Sequence, residues 1–245
     1  MKIAVVGTGH VGGALGRRWR AAGHEVVYGS RAGSGMGPGG VSVVPVGDAV
    51  TGADVVVLAV PGGAVGEVVA ANAAALAGKV VIDAANRFGE PEVNSQAVIA
   101  AAAPGAGYVR AFNALGWENF ADPPEGAVLF FAADPGARPV AEELITAVGL
   151  EPVFVGGAAA CGTVDALLLL WFALVQTTAG TGGLPCASRR SAHNGRTLLW
   201  RRAGCRTRPG AAFGRAVAAS RTRQGPAARR AGAGDPRRAE FGPGR

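Results

Sequence analysis

The chain has 245 residues, of which 49% are apolar, and a formal net charge of +7. This length predicts one α/β domain with an appendage, or two small domains, with a sizeable core. The longest apolar run, residues 166–175, is far shorter than the ~20 residues of a membrane-spanning helix. A strand pattern begins at Lys2, so we also expect no signal peptide. Three cysteines without metal-ligand spacing favour a reducing, cytoplasmic location.

The positive charge is confined to the C-terminal part of the chain. Residues 185–245 contain 15 arginines, no lysine and two acids, a net charge of +13, which leaves −6 for the rest. The tail lacks helix or strand periodicity, so we predict disorder over 183–245. Two interpretations of the tail stay open. It could bind nucleic acid through its arginines, or it could be the product of out-of-frame translation of a GC-rich gene. We favour the second, because the break falls inside an unfinished helical pattern.

The first 31 residues are the most informative segment. The apolar run Lys2–Val6 leads into Gly7-Thr8-Gly9-His10-Val11-Gly12, and a helical pattern then precedes a second apolar run. In this strand–turn–helix–strand context, G-x-G-x-x-G predicts a dinucleotide site. The first glycine permits a tight turn, the second a close approach to a pyrophosphate, and the third close helix packing. The phosphates would meet free N–H groups at the positive end of the helix dipole. The alternative is a glycine-rich turn without a ligand.

The end of the second strand indicates which dinucleotide binds. An NAD site usually carries an acid there, which holds the ribose 2′-hydroxyl, whereas this chain has Ser30 and Arg31. A guanidinium beside a hydroxyl suits a 2′-phosphate, because its paired N–H donors match phosphate oxygens. The pattern therefore favours NADP(H) over NAD, and the alternative is a surface arginine in a turn.

Strand and helix patterns alternate along the next part of the chain. Strands are predicted at 41–44, 54–60, 79–83, 108–112, 128–132 and 151–155, and helices at 48–53, 64–76, 95–103 and 139–148. This alternation predicts an α/β protein with a Rossmann-type doubly wound parallel sheet over 1–157. Ligands bind beyond the carboxyl ends of such strands. Those ends are Gly7, Ser30, Val60-Pro61, Ala84 and Phe112-Asn113.

A short C-terminal helical appendage is predicted over 158–182. Its helix, 163–177, is apolar nearly all round. Such a helix must be buried, either against the sheet or against a second subunit. A homodimer is therefore one expected assembly.

Four segments give residues 1–177 a resemblance to the NADPH-dependent coenzyme F420 reductases and their relatives. They are the opening motif with Gly29-Ser30-Arg31, then Ala59-Val60-Pro61, Val81-Ile82-Asp83-Ala84-Ala85-Asn86, and Val109-Arg110-Ala111-Phe112-Asn113-Ala114-Leu115. The resemblance implies that Thr8, Gly9, His10 and Val11 wrap the pyrophosphate and that Ser30 and Arg31 hold the 2′-phosphate. It also implies that Ala59, Val60, Pro61 and Ala84 line the path from adenosine to nicotinamide. A lysine that some relatives carry after the Ser-Arg pair is absent, and Ser34-Gly35-Met36 stand in that region.

The expected chemistry needs no catalytic side chain. Hydride transfer depends on alignment and exclusion of water more than on a protein acid or base. The sequence shows no Ser-His-Asp set, paired catalytic carboxylates or metal cluster. Phe112 is a candidate apolar wall of the nicotinamide–acceptor pocket, or ordinary core, and Asn113 a candidate hydrogen-bonding group. Asn86 is a candidate ligand contact, and Asp83 has an expected structural role.

We therefore expect an NADPH-dependent oxidoreductase whose acceptor is coenzyme F420 or another flavin such as FMN or FAD. One alternative is an imine or hydroxyacid reductase sharing the nucleotide domain, although no long helical second domain follows. Another is a non-catalytic NADP-binding regulator. The expected partner is a small-molecule or flavin-like substrate, with nucleic acid restricted to the tail.

Overall fold

A computed structural model describes residues 1–179, with side chains through residue 174. The predictions for the tail over 183–245 lie outside the described residues. Among residues 1–179, none of the helices combines the length and the apolar character needed to cross a membrane.

The described part of the chain is built on one eight-stranded sheet in the order β3-β2-β1-β4-β5-β6-β7-β8. The order reverses beside β1, which pairs in parallel with both β2 and β4. A reversal of this kind opens a crevice at the carboxyl ends of the strands, where ligands bind. The Rossmann-type fold is therefore confirmed. The strands are β1 Lys2–Val6, β2 Glu25–Gly29, β3 Val43–Val44, β4 Val55–Leu58, β5 Val80–Asp83, β6 Gly107–Arg110, β7 Val128–Ala133 and β8 Glu151–Gly156.

The last two strands run against the other six, which corrects the prediction of a fully parallel sheet. β7 pairs antiparallel with β6, with Val109 opposite Ala133, and β8 pairs in parallel with β7. A parallel neighbour needs a crossover connection, usually a helix, that returns the chain to the opposite edge of the sheet. The connection between β6 and β7 contains only the four-residue helix Glu118–Ala121. The chain therefore re-enters the sheet from the edge at which it left.

Helices cover both faces of the sheet. Alternate residues of β1 show the two layers, because Ile3 and Val5 belong to one buried cluster and Ala4 and Val6 to the other. The first cluster includes residues of α1, α6 and α7, and the second includes residues of α2 to α5 and the start of α8. The helices are α1 His10–Ala21, α2 Val46–Thr51, α3 Val65–Ala71, α4 Ala73–Leu76, α5 Gln96–Ala102, α6 Glu118–Ala121, α7 Arg138–Val148 and α8 Cys161–Ala179.

Two predicted helices differ from the observed ones. The single helix expected over 64–76 is divided at Asn72, whose φ of −122° leaves the helical range and whose Nδ2 donates to the Val68 carbonyl. Helix α8 buries only one face, where Val164 is fully covered, whereas Leu169 and Leu170 are about half exposed. Pairing of this helix with a second subunit stays a prediction.

Candidate functional site

The turn after β1 accepts only glycine at Gly7. Its φ is +115°, in the region that L side chains avoid, and its N–H donates to the Gly29 carbonyl at 3.0 Å. A Cβ here would lie 2.3 Å from the carbonyl oxygen of Ala59 at the end of β4. The turn therefore brings the ends of β1, β2 and β4 together at one edge of the sheet.

The start of α1 is open to an anion. The N-cap residue Gly9 has extended backbone and no side chain to cap the helix, and the first turn contains no acid. A Cβ at Gly9 would meet no atom of the described chain within 4 Å, whereas one at Gly12 would lie 2.2 Å from the Gly7 carbonyl oxygen. The helix thus packs against the turn through Gly12 and leaves free space in front of Gly9. Unpaired N–H groups at a helix start bind phosphate groups well, so this geometry fits a pyrophosphate.

A cavity of about 330 Å³ lies beside this turn, at the end of β2. Three hydroxyl residues, Thr8, Ser30 and Ser34, are part of its lining. The Ser30 Oγ accepts from the Ala32 N–H at 3.2 Å. Hydroxyl groups without a lining carboxylate fit a phosphate ester better than a bare ribose hydroxyl. The complete lining is Thr8, Ser30, Ala32, Ser34, Met36, Gly37, Pro38 and Val43.

Arg31 stands between the lining residues Ser30 and Ala32 in the chain and is not itself part of the cavity lining. Its side chain is exposed and makes no hydrogen bond or ion pair with the rest of residues 1–174. An arginine with a free guanidinium at this place has all its N–H donors available to a ligand. Sequence reasoning missed Ser34 and Met36 as lining residues. The sequence signal for these two residues is the missing lysine at Ser34-Gly35-Met36, because a serine hydroxyl can replace a lysine as a phosphate donor.

A second cavity, of about 310 Å³, adjoins the first through Thr8 and Pro38. The His10 ring stacks on the indole of Trp117 with centroids 5.0 Å apart and 25° between the planes. Trp117, in the loop after β6, is a residue that sequence reasoning did not single out. The same is true of Arg17, one turn along the helix from Gly13. The complete lining is Thr8, Gly9, His10, Gly13, Arg17, Pro38 and Trp117.

The loops after β4 and β5 touch each other through their backbones. A Cβ at Gly62 would lie 2.2 Å from the carbonyl oxygen of Asn86. Ala59 is bonded to β1 through its N–H, and Ala84 to β4 in the same way, at 2.9 and 3.2 Å. These contacts bring Ala59, Ala84 and Asn86 to the same edge of the sheet as the glycine turn. Val60 and Pro61, which the resemblance places on the path from adenosine to nicotinamide, lie in the loop after β4. Val60 is partly exposed and Pro61 is exposed.

Asn86 and Asn113 are joined to each other at the far end of this edge. The Asn86 Nδ2 donates to the Asn113 carbonyl at 2.9 Å, and its Oδ1 accepts from Arg110 at 2.8 Å. Both ends of the Asn86 amide are therefore held by the protein. Asn113 is 4% exposed, and its Oδ1 has no donor among the described residues.

Asp83 has the predicted structural role. It is fully buried and accepts from the Ser95 N–H at 2.7 Å and from the Tyr108 hydroxyl at 3.1 Å, and it pairs with Arg110 at 3.2 Å. Burial raises the pKa of the Asp83 carboxyl, and the nearby Arg110 charge opposes that rise.

Phe112 turns the chain at the end of β6 with a φ of +62°, an unusual conformation for a bulky residue. Its ring is 1% exposed and meets Trp19 and Phe120 edge to face, at 5.6 and 5.5 Å. Of the two roles considered for this ring, the structure shows core packing.

Within residues 1–179 no three His, Cys, Asp or Glu side chains come together as a metal site would require. The geometry near the glycine turn instead offers backbone donors, hydroxyls and a free guanidinium. Those groups fit a phosphorylated dinucleotide.

Comparisons with known proteins agree with this geometry. Residues 2–87 match the model of a family described as NADP oxidoreductase, coenzyme F420-dependent. A proposed F420-dependent NADP reductase from Arthrobacter is 25% identical, with a TM-score of 0.61 over 73% of this chain and 95% of that one. A hypothetical protein from Sinorhizobium meliloti is 31% identical, with a TM-score of 0.58 over 66% of this chain and 88% of that one.

A more distant likeness shows the fold alone. A reductive aminase from Aspergillus terreus, solved with NADPH and ethyl levulinate, is 20% identical, with a TM-score of 0.58 over 73% of this chain and 62% of that one. A search of curated protein sequences found no match. The family match over the nucleotide-binding segment and the 31% identity across most of a relative's length lead to one conclusion. The chain belongs to the family of coenzyme F420-dependent NADP oxidoreductases and is an NADP-dependent oxidoreductase.

Proposed function

We propose that this protein transfers a hydride between NADP(H) and a flavin-like acceptor such as coenzyme F420. The family supports the acceptor class. The observation that carries the cofactor half is the open N-terminus of α1 beside a cavity that contains hydroxyls and no carboxylate. An acid at that position would repel a 2′-phosphate.

In this proposal the backbone N–H groups of Thr8 to Val11 bind the pyrophosphate. Ser30, Arg31 and Ser34 hold the 2′-phosphate, since a guanidinium and two hydroxyls supply donors of the right kind. Arg31 adjoins Ser30 in the chain and has no partner among residues 1–174, so its guanidinium donors are available to the phosphate. The remaining predicted contacts line the path toward the nicotinamide, and they are Ala59, Val60, Pro61, Ala84, Asn86 and Asn113.

Bound NADPH would supply a hydride, which is one proton with two electrons, and the acceptor ring would take one further proton from water. The protein's contribution is alignment and the exclusion of competing water, which together lower the barrier without a side-chain acid or base. Asn86 and Asn113 hold the nicotinamide end in register. The ring of Phe112 anchors the chain just after β6 to Trp19 and Phe120.

The acceptor is tested by stopped-flow measurement of NADPH oxidation with coenzyme F420, with FMN and with an imine or a 2-oxo acid. We expect single-turnover oxidation with coenzyme F420 or FMN. Reduction of the imine or the oxo acid alone would replace this acceptor with the alternative reductase chemistry. Tight NADPH binding without transfer to any acceptor would instead favour a regulator.

The 2′-phosphate assignment is tested with Arg31→Ala. Loss of a charged hydrogen bond to phosphate costs about 1.5–3 kcal/mol, so the Kd for NADPH should rise about 10- to 100-fold. The Kd for NADH should barely change, because it lacks the phosphate. Arg138→Ala is the matched control, since Arg138 lies on α7, pairs with Glu142 and lies over the Phe154 ring, and none of these residues lines either cavity. Equal loss of both cofactors in Arg31→Ala would contradict the assignment.

A further inference from the structure

A buried ionic cluster ties helix α8 to the ends of β5 and β6. Asp165 of α8 is 3% exposed, and both of its carboxylate oxygens accept hydrogen bonds. Its Oδ1 accepts from the Arg110 Nη2 at 2.7 Å and Nε at 2.8 Å and from the Asn113 Nδ2 at 3.1 Å. Its Oδ2 accepts from the Asn94 Nδ2 at 2.9 Å.

Arg110 also donates hydrogen bonds to residues at the edge of the proposed cofactor cleft. Its side chain is fully buried, and Nη1 donates to the carbonyls of Asp83 at 3.1 Å and Ala85 at 2.5 Å. Nη2 donates to the Asn86 Oδ1 at 2.8 Å. One rigid guanidinium therefore links a carboxylate on α8 to Asp83, the last residue of β5, and to Ala85 and Asn86 in the loop that follows.

Stability alone explains this cluster poorly. Two carboxylates around one guanidinium leave an excess negative charge in the interior, and replacing buried ion pairs with apolar side chains is often neutral or stabilising. Besides its contacts with Asn94, Ser95 and Tyr108, the cluster holds Ala85, Asn86 and Asn113. The cluster is placed to orient groups at that edge.

The carboxylate of Asp165 also decides which way the Asn113 amide points. A carboxylate only accepts hydrogen bonds, whereas an amide end can donate or accept. Asp165 therefore draws the NH₂ end of Asn113 toward itself and turns the Oδ1 away, where it has no donor among the described residues. An unpaired buried acceptor costs free energy unless a ligand supplies the donor.

We propose that Asp165 is a positioning residue for hydride transfer. It holds Asn113 so that the Oδ1 accepts an N–H of the nicotinamide carboxamide, and through Arg110 it holds Asn86 beside it. This rests on the proposed function, because it assigns the nicotinamide to that end of the cleft. The orientation of the carboxamide then decides which face of the ring meets the acceptor.

The test is Asp165→Asn, which keeps the shape of the side chain and lets it donate as well as accept. The Asn113 amide is then free to flip. We expect kcat to fall about ten-fold or more, because small misplacements at the reacting end cost up to ~100-fold. The KM for NADPH should stay within about three-fold, since the phosphate contacts bind ground and transition states alike. Deuteride transfer from stereospecifically labelled NADPH should lose its preference for one face, and Asp165→Glu, which restores the carboxylate, should recover it.

Val164→Ala is the matched control on the same helix. Val164 is fully buried and belongs to none of these contacts, so the variant should lower the thermal midpoint and leave kcat and stereospecificity unchanged. Asp165→Asn behaving like Val164→Ala, with a lower midpoint and wild-type kcat and stereospecificity, would overturn the proposal. If Asp165→Asn does not fold, Asn94→Ala removes the Oδ2 contact of Asp165, together with the hydrogen bond that the Asn94 Oδ1 accepts from the Gln96 N–H. It should lower kcat about two- to three-fold, and an unchanged kcat would overturn the proposal.

A binding measurement separates this proposal from the proposed function. NADP⁺ should shift the side-chain amide signals of Asn113 in the NMR spectrum of the wild-type protein and not in that of Asp165→Asn. If the wild type shows no hydride transfer to any acceptor, the proposed function fails, and the amide shift still decides this inference. Equal shifts in both proteins, or none in a wild type that binds NADP⁺, would refute the role of Asp165.

Discussion

At the scale of single residues, Tyr28 shows how tightly the nucleotide end of the fold is packed. Its ring is fully buried in β2, and its hydroxyl has no hydrogen-bond partner among the described residues. A Cβ at Gly16 of α1 would lie 2.3 Å from the Tyr28 Oη. The helix can therefore approach the sheet only because Gly16 has no side chain. The aromatic ring fills the space, and its polar tip is the part that costs free energy.

We expect Tyr28→Phe to stabilise the protein by about 1 kcal/mol, because it removes a buried hydroxyl without a partner and keeps the ring. Urea unfolding should show a higher midpoint with an unchanged slope. Tyr108→Phe is the opposite case, since the Tyr108 hydroxyl donates to Asp83, and it should destabilise. A lower midpoint for Tyr28→Phe would mean that the hydroxyl has a partner, such as a buried water.

At the scale of elements, the glycines divide into those that a helix needs and those that it does not. Gly12 lets α1 rest on the Gly7 carbonyl, so the start of the helix and the turn form one unit. Gly66 in α3 is exposed, has ordinary helical backbone, and a Cβ there would meet nothing within 4 Å. Glycine in a helix costs conformational entropy relative to alanine. Only at the first position does close packing offset that cost.

The two glycines should respond in opposite ways to the same change. We expect Gly66→Ala to raise the free energy of unfolding by about 0.5 kcal/mol, and Gly12→Ala to lower it by about 2 kcal/mol or more because backbone must move. Both are measured by urea unfolding of the full chain. A stability loss in Gly66→Ala, or none in Gly12→Ala, would contradict the packing described for these helices.

At the scale of the whole molecule, three weakly acidic side chains of the described residues are buried, those of Tyr28, Tyr108 and Cys161. Burial raises the pKa of Tyr28, although the charge of Arg17 opposes the rise. Burial and the charge of Asp83 raise the pKa of Tyr108 far above the range of an ordinary tyrosine. Burial and the charge of Asp165 raise the pKa of Cys161. These two tyrosines are the only ones in the chain.

Alkaline pH should therefore unfold the protein cooperatively. Above about pH 9–10 the unfolded chain loses these protons while the folded chain keeps them, so stability falls as pH rises. Each group that stays protonated in the folded chain would lower the free energy of unfolding by up to about 1.4 kcal/mol per pH unit above its unfolded pKa. Tyrosinate absorbance should appear together with the loss of circular dichroism. Ionisation of a tyrosine in the folded protein at an ordinary pH would contradict the burial described here, and Tyr28→Phe should weaken the pH dependence.

Local patterns predict the nucleotide half of the proposed site. The role of each motif glycine follows from contacts within a strand, a turn and a helix that adjoin in sequence, and the absence of an acid at Ser30-Arg31 can be read directly. The structure then added Ser34, Met36, Arg17 and Trp117 to the two adjoining cavities. These residues come from loops and from a helix surface, where no periodic pattern indicates direction.

By itself the sequence determined the fold class, the glycine turn and the preference for a 2′-phosphate, because each depends on neighbours within about one βαβ unit. Only the tertiary structure decided that β7 and β8 run backward, that the Phe112 ring is core, and that Asp165 orients Asn113. The physical reason is separation along the chain. Arg110 and Asp165 lie 55 residues apart in the chain. A buried carboxylate needs a buried cation or donor, but the apolar pattern around Asp165 does not indicate which distant residue supplies it.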